Sequence, residues 1–315
     1  MDHLTTVAEE LAAYRGRHVF FEPLSGNNGD KLIEMGSRVA LSRAGVALVR
    51  RPEQAALIVV NGGAGMTDVW GAVHRLESYT KGFPGTPILV LPSTFYFTAT
   101  DFSSIFTNRE SGVTLYSRDL TSLKTLQALQ FPCTARLGVD NDMAFTLKDS
   151  PYVQRLRRKA SNKHILVVER GDAEAASDLR LTQFGPKWRF KKYIPVGIKR
   201  PIRWALHTRR WAEHEGQRTA FARTTLDLAR DRFPEFRRLP IFASDISLTG
   251  VFSFAHFSRL VADAAVVITT RLHVGILAAM LGKPTLLKAG AGKFPKIRSI
   301  YEYSLREYPN VSLLP

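Results

Sequence analysis

Ala265-Val266-Val267-Ile268-Thr269-Thr270-Arg271-Leu272-His273-Val274-Gly275-Ile276-Leu277-Ala278-Ala279-Met280-Leu281-Gly282-Lys283-Pro284-Thr285-Leu286-Leu287 reads as strand, tight turn, helix, turn, strand. Ala265 to Ile268 is a short β-branched apolar run, the pattern of a strand buried on both faces. Thr269 and Thr270 have side chains suited to cap the helix that follows. From Val274 to Leu281 the residues are apolar nearly all round, so the helix is expected to be buried. Gly282 and then Pro284 give the usual order of a helix end. Two polar residues remain at the strand's C-terminal edge, Arg271 and His273. In open α/β sheets that edge is where ligands bind. A helix N-terminus there offers N–H groups and a positive dipole to an anion. Arginine adds a forked cation for phosphate or carboxylate, and histidine carries a proton near neutral pH.

The run Thr270-Arg271-Leu272-His273-Val274-Gly275 through Gly282-Lys283-Pro284 resembles the signature of the polysaccharide pyruvyl transferases. That signature is Arg-Leu-His before a buried, small-residue helix with a Gly-x-Pro stop. Chain length and element order are similar to those of the exopolysaccharide ketal pyruvyl transferases of succinoglycan type.

The chain has 315 residues, 45% of them hydrophobic, enough for about two domains. No apolar run has the length of a membrane span. Met1 to Arg17 contains Glu9 and Glu10 and lacks the apolar core of a secretory signal. Cys133 is the single cysteine, which excludes an internal disulfide and a cysteine-based metal site. The cytoplasm is the expected compartment. Forty-four basic residues against 28 acidic ones give a net charge of +16, which favours an anionic partner without choosing among nucleic acid, membrane surface and phosphorylated substrate.

Both halves show a βα rhythm. The expected fold class is α/β, with two Rossmann-like domains facing a cleft in a GT-B-like manner. The boundaries are 1–160 and 161–315, the second with a basic, aromatic insertion at about 185–218 and a final helix over Ile297 to Leu305. His18 to Glu22 is the first strand. It leads through the turn-rich Pro23 to Lys31 into a helix that carries Leu32, Ile33 and Met35, with Asp30 as a candidate N-cap. This loop, with Asn28, Gly29 and Asp30, is similar to the family's Asn-x-Gly-Asp loop. Leu57 to Asn61 is a strand that runs into Gly62-Gly63-Ala64-Gly65, a glycine cluster suited to close approach of backbone amides to a ligand. It is neither a dinucleotide fingerprint nor a P-loop, but it resembles the family's glycine loop, with Ala64 in place of one glycine. Ile88 to Leu91 is a strand before Pro92-Ser93-Thr94, where Ser93 matches and Pro92 departs from the family's Gln-Ser. Ser117-Arg118-Asp119 enters a helix and resembles an Arg-Asp-x-x-Ser element. From its position it reads as an exposed charge pair of little energetic weight. Asp140, Asp142 and Phe145 resemble the segment closing the family's first domain. No histidine or third carboxylate has ligand spacing beside them, so no metal is expected.

Residues 149–162 are polar and basic and read as a linker. His164 to Val168 opens the second domain, with Arg170 at its end. Between Gly185 and Arg218, Lys187, Arg189, Lys191 and Lys192 alternate with Trp188, Phe190 and Tyr193, and Trp204 and Trp211 follow. Basic residues with interfacial aromatics suit an anionic membrane surface, and the same pattern suits stacked bases and phosphates. The family pattern has no counterpart for this segment.

The resemblance implies transfer of pyruvate from phosphoenolpyruvate, as a ketal, onto a hexose of an exopolysaccharide repeat unit, lipid-linked, with phosphate released. It implies Arg170, Arg271, Leu272 and His273 as donor-binding residues, His273 and Asp30 as acid and base, and Asn28, Gly62, Gly63 and Ser93 as cleft loops. No cofactor beyond the donor substrate and no nucleic acid is implied. The protein is then cytoplasmic, peripheral on the inner membrane. A GT-B glycosyltransferase using a nucleotide sugar fits two facing α/β domains equally well.

Overall fold

The computed structural model describes residues 6–24, 26–68, 71–170, 205, 226–289 and 296–314. The expected insertion at about 185–218, apart from residue 205, lies outside these, as does the loop from Gly290 to Lys293. The chain divides into two compact units. One holds Met1–Ser25, Asp30–Ser150 and Glu302–Ser304, and the other Gly26–Gly29, Pro151–Tyr301 and Leu305–Pro315.

The first unit is built on a parallel sheet of β1 (His18–Glu22), β2 (Ala47–Val49), β3 (Leu57–Val60), β4 (Gly63–Thr67), β5 (Ile88–Tyr96), β6 (Val113–Ser117) and β7 (Ala135–Val139). Its order is β2-β1-β3-β5-β6-β7, and β4 pairs with β5. Around it lie α1 (Val7–Ala12), α2 (Asn28–Ala44), α3 (Ala72–Gly82) and α4 (Leu120–Gln127). Runs such as Leu57-Ile58-Val59-Val60 are buried throughout because crossover helices cover both sheet faces. Two apolar clusters result, one around Val60, Val90 and Phe106 and one around Val19, Leu41 and Leu89.

Three expectations are corrected in this unit. The glycine cluster is not an open loop: Gly63 to Thr67 is a strand, with Gly63 opposite Ser93 and Met66 opposite Phe95. Burial of Met66 and Phe95, both 0% exposed, draws the segment onto an extended β5. Glycine is nonetheless required at two places. A Cβ on Gly62 would lie 2.4 Å from the Pro92 carbonyl oxygen, and Gly63 has φ +129°. Asp30 is not an N-cap, because α2 begins at Asn28 and places Asp30 inside its first turn. Arg118 and Asp119 are not an exposed pair: both are 0% exposed. Arg118 Nε donates to Thr94 Oγ1 at 2.9 Å and its Nη1 to Asp142. Asp119 caps α4 by accepting from the Ser122 N–H at 2.8 Å and the Ser122 hydroxyl at 2.9 Å, a cap worth about 0.5–2 kcal/mol. The sequence hid this because Arg118 finds its carboxylate 24 residues away.

The second unit holds α5 (Pro151–Arg158), β8 (His164–Val168), α6 (226–232), β9 (Ile241–Ala243), α7 (Phe254–Ala262), β10 (Ala264–Thr269), α8 (Leu272–Met280), β11 (Thr285–Lys288), α9 (Lys296–Ile300) and β12 (Val311–Leu314). A π-helical turn, Tyr301–Leu305, follows α9. The sheet is parallel, in the order β12-β11-β10-β8-β9. The basic stretch expected as a linker is helix α5. It buries Val153, and its Arg157 donates to the Met280 carbonyl at the end of α8, at 2.9 and 2.7 Å. Every residue of α8 is buried. Each fully buried Val, Ile or Leu contributes about 1.5–3 kcal/mol, so this helix and its two flanking strands outweigh any single polar contact at its start. Gly275 sets the approach of helix to strand, because a Cβ there would lie 2.4 Å from Leu287 Cδ2. Gly282, with φ +73°, ends the helix, and the Lys283 N–H reaches back to the Ala278 carbonyl at 2.9 Å. Among the described residues no helix is long and apolar enough to cross a membrane.

Candidate functional site

In the second unit three neighbouring strands, β10, β8 and β9, end at one edge, and the polar residues of interest follow each of them. Thr269 pairs in register with Val168, and Val167 with Ala243. Two residues past the first two ends stand Arg271 and Arg170, and two residues past Ala243 stands Asp245. The Thr270 hydroxyl accepts from the Arg170 N–H at 2.7 Å, which ties the two strand ends together. The expected caps take other partners: Thr269 Oγ1 accepts from the Arg271 N–H at 2.8 Å, and the N-cap position of α8 is Arg271 itself. Leu272 and His273 therefore lie in the first turn of α8, which begins two residues earlier than the apolar pattern suggested.

Arg271 is 4% exposed and Asp245 is 0% exposed. Arg271 Nε donates to Asp245 Oδ1 at 3.0 Å, and its Nη2 donates to Oδ2. This is a forked, charge-assisted pair, which fixes the plane of the guanidinium as well as its position. Arg170 is half-buried.

Residues Gly26–Gly29, far away in sequence, belong to this same unit. Asn28 anchors them. It is 0% exposed, its N–H donates to the Ser247 carbonyl at 2.8 Å, and its amide Nδ2 donates to the carbonyls of Ile246 and Phe252, each at 3.1 Å. The Asn27 side chain accepts from the Gly29 N–H at 2.7 Å and closes the turn. Gly29 then sits directly against the imidazole. A Cβ built on it would lie 2.6 Å from His273 Nδ1, 2.9 Å from His273 Cβ and 2.9 Å from Asn27 Oδ1. Real Cβ atoms do not come so close, so only glycine permits this contact. The fold thus brings Asn28 and Gly29 together with Arg271 and His273. Gly29→Ala is expected to push the ring out of place, lowering turnover at least tenfold and the melting temperature as well. A Gly29→Ala protein with normal turnover would show that the ring position is immaterial.

The remaining expected residues fall in the first unit. Asp30 follows Gly29 in the chain, and its Oδ1 lies 3.9 Å from the position of a Gly63 Cβ, so Asp30 and Gly63 are neighbours there. Ser93 is 1% exposed and its hydroxyl donates to the Leu91 carbonyl at 2.8 Å, so it is part of the sheet rather than of a loop. Asp142 is occupied by Arg118 and caps the 3-10 turn Met143–Leu147, while Asp140 accepts from the Val7 N–H at 2.9 Å. Among the described residues no three His, Cys, Asp or Glu side chains come together as a metal site. The reading from sequence missed Asp245 and Asn27. The signal was present for Asp245: it stands just past the end of an apolar strand, as Arg170 and Arg271 do.

The chain is similar over 98% of its length to 95% of a solved structure, a functionally uncharacterised protein from Klebsiella pneumoniae, with a TM-score of 0.60 and 16% identity. At that identity the likeness speaks for the α/β fold alone. No protein of curated function matches the chain in sequence. The sequence profile of the polysaccharide pyruvyl transferases matches residues 11–289, which include Asn28, Gly29, Asp245, Arg271 and His273. A match over that much of its length makes this chain a member of the polysaccharide pyruvyl transferase family, and so a transferase.

Proposed function

We propose that the protein transfers pyruvate from phosphoenolpyruvate, as a ketal, onto a hexose of a lipid-linked exopolysaccharide repeat unit, with release of phosphate. The observation that carries this reading is the close packing of Gly29 on His273 beside the fixed Arg271, at the C-terminal edge of a parallel sheet. The donor bears a phosphate and a carboxylate and calls for cations at a helix N-terminus. Arg170, Arg271 and the first turn of α8, with Leu272 and His273, meet that demand. His273 as imidazolium delivers a proton to the methylene carbon, which leaves an oxocarbenium-like centre. One sugar hydroxyl attacks it, phosphate departs, and a second hydroxyl closes the ketal. Asp30 is assigned as the base for the hydroxyl protons. That the two units work as a GT-B-like pair is part of this proposal, as is action on the cytoplasmic side of the inner membrane.

The test is phosphate release from phosphoenolpyruvate, with and without lipid-linked oligosaccharide or pyruvate-free polysaccharide. Acceptor-dependent release is expected. No release, together with protection against unfolding by nucleoside diphosphates, would replace this reading with a nucleotide-sugar glycosyltransferase. The basic, aromatic segment 185–218 supports peripheral membrane binding by its composition alone. The protein is expected to float with anionic liposomes at low salt and to lose this on deletion of the segment. No flotation of the full chain contradicts it.

A further inference from the structure

Arg271 and His273 are two residues apart on the chain, yet different contacts hold them. Both sets of contacts lead to one segment, Asp245–Phe252. At its start, Asp245 grips the Arg271 guanidinium through both carboxylate oxygens. Asp245 Oδ1 also accepts from the Ser247 N–H at 3.3 Å, which folds the segment back on itself. The next carbonyls, of Ile246 and Ser247, and that of Phe252 take three hydrogen bonds from Asn28. Asn28 in turn places Gly29 against His273. Asp245 and Asn28 are both fully buried, so neither trades these bonds for water.

We infer that Asp245 and Asn28 are positioning residues: the segment Asp245–Phe252 is a brace that sets the Arg271 cation at one end and, through Asn28 and Gly29, the His273 imidazole at the other. Neither residue need touch the substrate. The consequence for catalysis rests on the proposed donor roles of Arg271 and His273, whereas the brace itself is a property of the protein alone.

The experiment uses the full chain and the variants Asp245→Asn and Asn28→Ala. Asp245→Asn is expected to raise the Michaelis constant for phosphoenolpyruvate at least tenfold, because the guanidinium plane is released. Asn28→Ala is expected to lower kcat at least tenfold with a smaller change in Michaelis constant, because Gly29 no longer fixes the ring. A merely structural role would lower the apparent kcat of both variants only in proportion to the folded fraction, with kcat per folded molecule and the Michaelis constant unchanged, and that result overturns the inference. The second readout needs no donor: the imidazole NMR signal of His273, assigned with His273→Gln. It is expected to shift in both variants. An unmoved signal in both overturns the brace whatever the substrate is. A signal shifted in the variants, when the parent chain itself neither turns over nor is protected by phosphoenolpyruvate, upholds the brace and removes the donor reading. If Asp245→Asn does not fold, Asn28→Ala carries both comparisons: a shifted signal with the lowered kcat supports the brace, and neither change overturns it.

Discussion

His273→Ala is expected to lower phosphoenolpyruvate-dependent phosphate release by about 10²–10⁴-fold, the range for loss of a positioned general acid. The chain should stay folded. The core of the second unit rests on β8, β10 and β11, with Ile165, Val266 and Leu286 almost fully buried, and His273 is only one residue of a helix buried along its whole length. The kinetic constants separate two roles. If the ring delivers the proton, kcat falls and the donor Michaelis constant changes little. If it only holds phosphate, the Michaelis constant rises and kcat is retained. Near-normal turnover by a folded His273→Ala protein would remove His273 from the chemistry altogether.

Arg271→Ala is expected to have a larger effect on stability than on any one kinetic constant. It leaves the fully buried Asp245 carboxylate without its cation, and breaking a buried pair from one side costs about 3–5 kcal/mol. The melting temperature should drop accordingly, which obscures the donor role in the single variant. The paired change Arg271→Met with Asp245→Leu separates the two effects. Replacing both ions by apolar groups of similar size is often close to neutral for stability. The paired variant should therefore regain most of the lost stability and still lack protection by phosphoenolpyruvate. A paired variant that binds the donor as the parent does would show that Arg271 serves only the fold. A single variant with an unchanged melting temperature would show that the pair carries no net weight.

Among the described residues, Arg118 and Arg271 each belong to a buried ion pair that the local sequence does not reveal. Adjacent Arg and Asp at a helix start look like a solvated pair, and local pattern offers no reason to bury them. The structure gives each a separate partner: Asp119 turns to its own helix and Arg118 crosses to Asp142. Arg271 does the same across 26 residues to Asp245. Such pairings depend on which strands lie side by side, and a single sequence does not state that order.

From the sequence alone the α/β rhythm, the buried strand–helix–strand unit around Arg271 and His273, and the family could be read. These follow from local rules: β-branched runs, a helix apolar on all sides, and a Gly-x-Pro stop are each complete within about ten residues. Tertiary structure alone decided that Gly62-Gly63-Ala64-Gly65 enters a strand, that α5 is a helix packed on the end of α8, and that Asn28 and Gly29 belong with His273. The reason is the same in each case. A strand needs a neighbour, a helix end needs a cap, and a glycine's missing Cβ matters only when something stands where it would be. Here the neighbour, the cap and the imidazole all come from segments far apart in sequence.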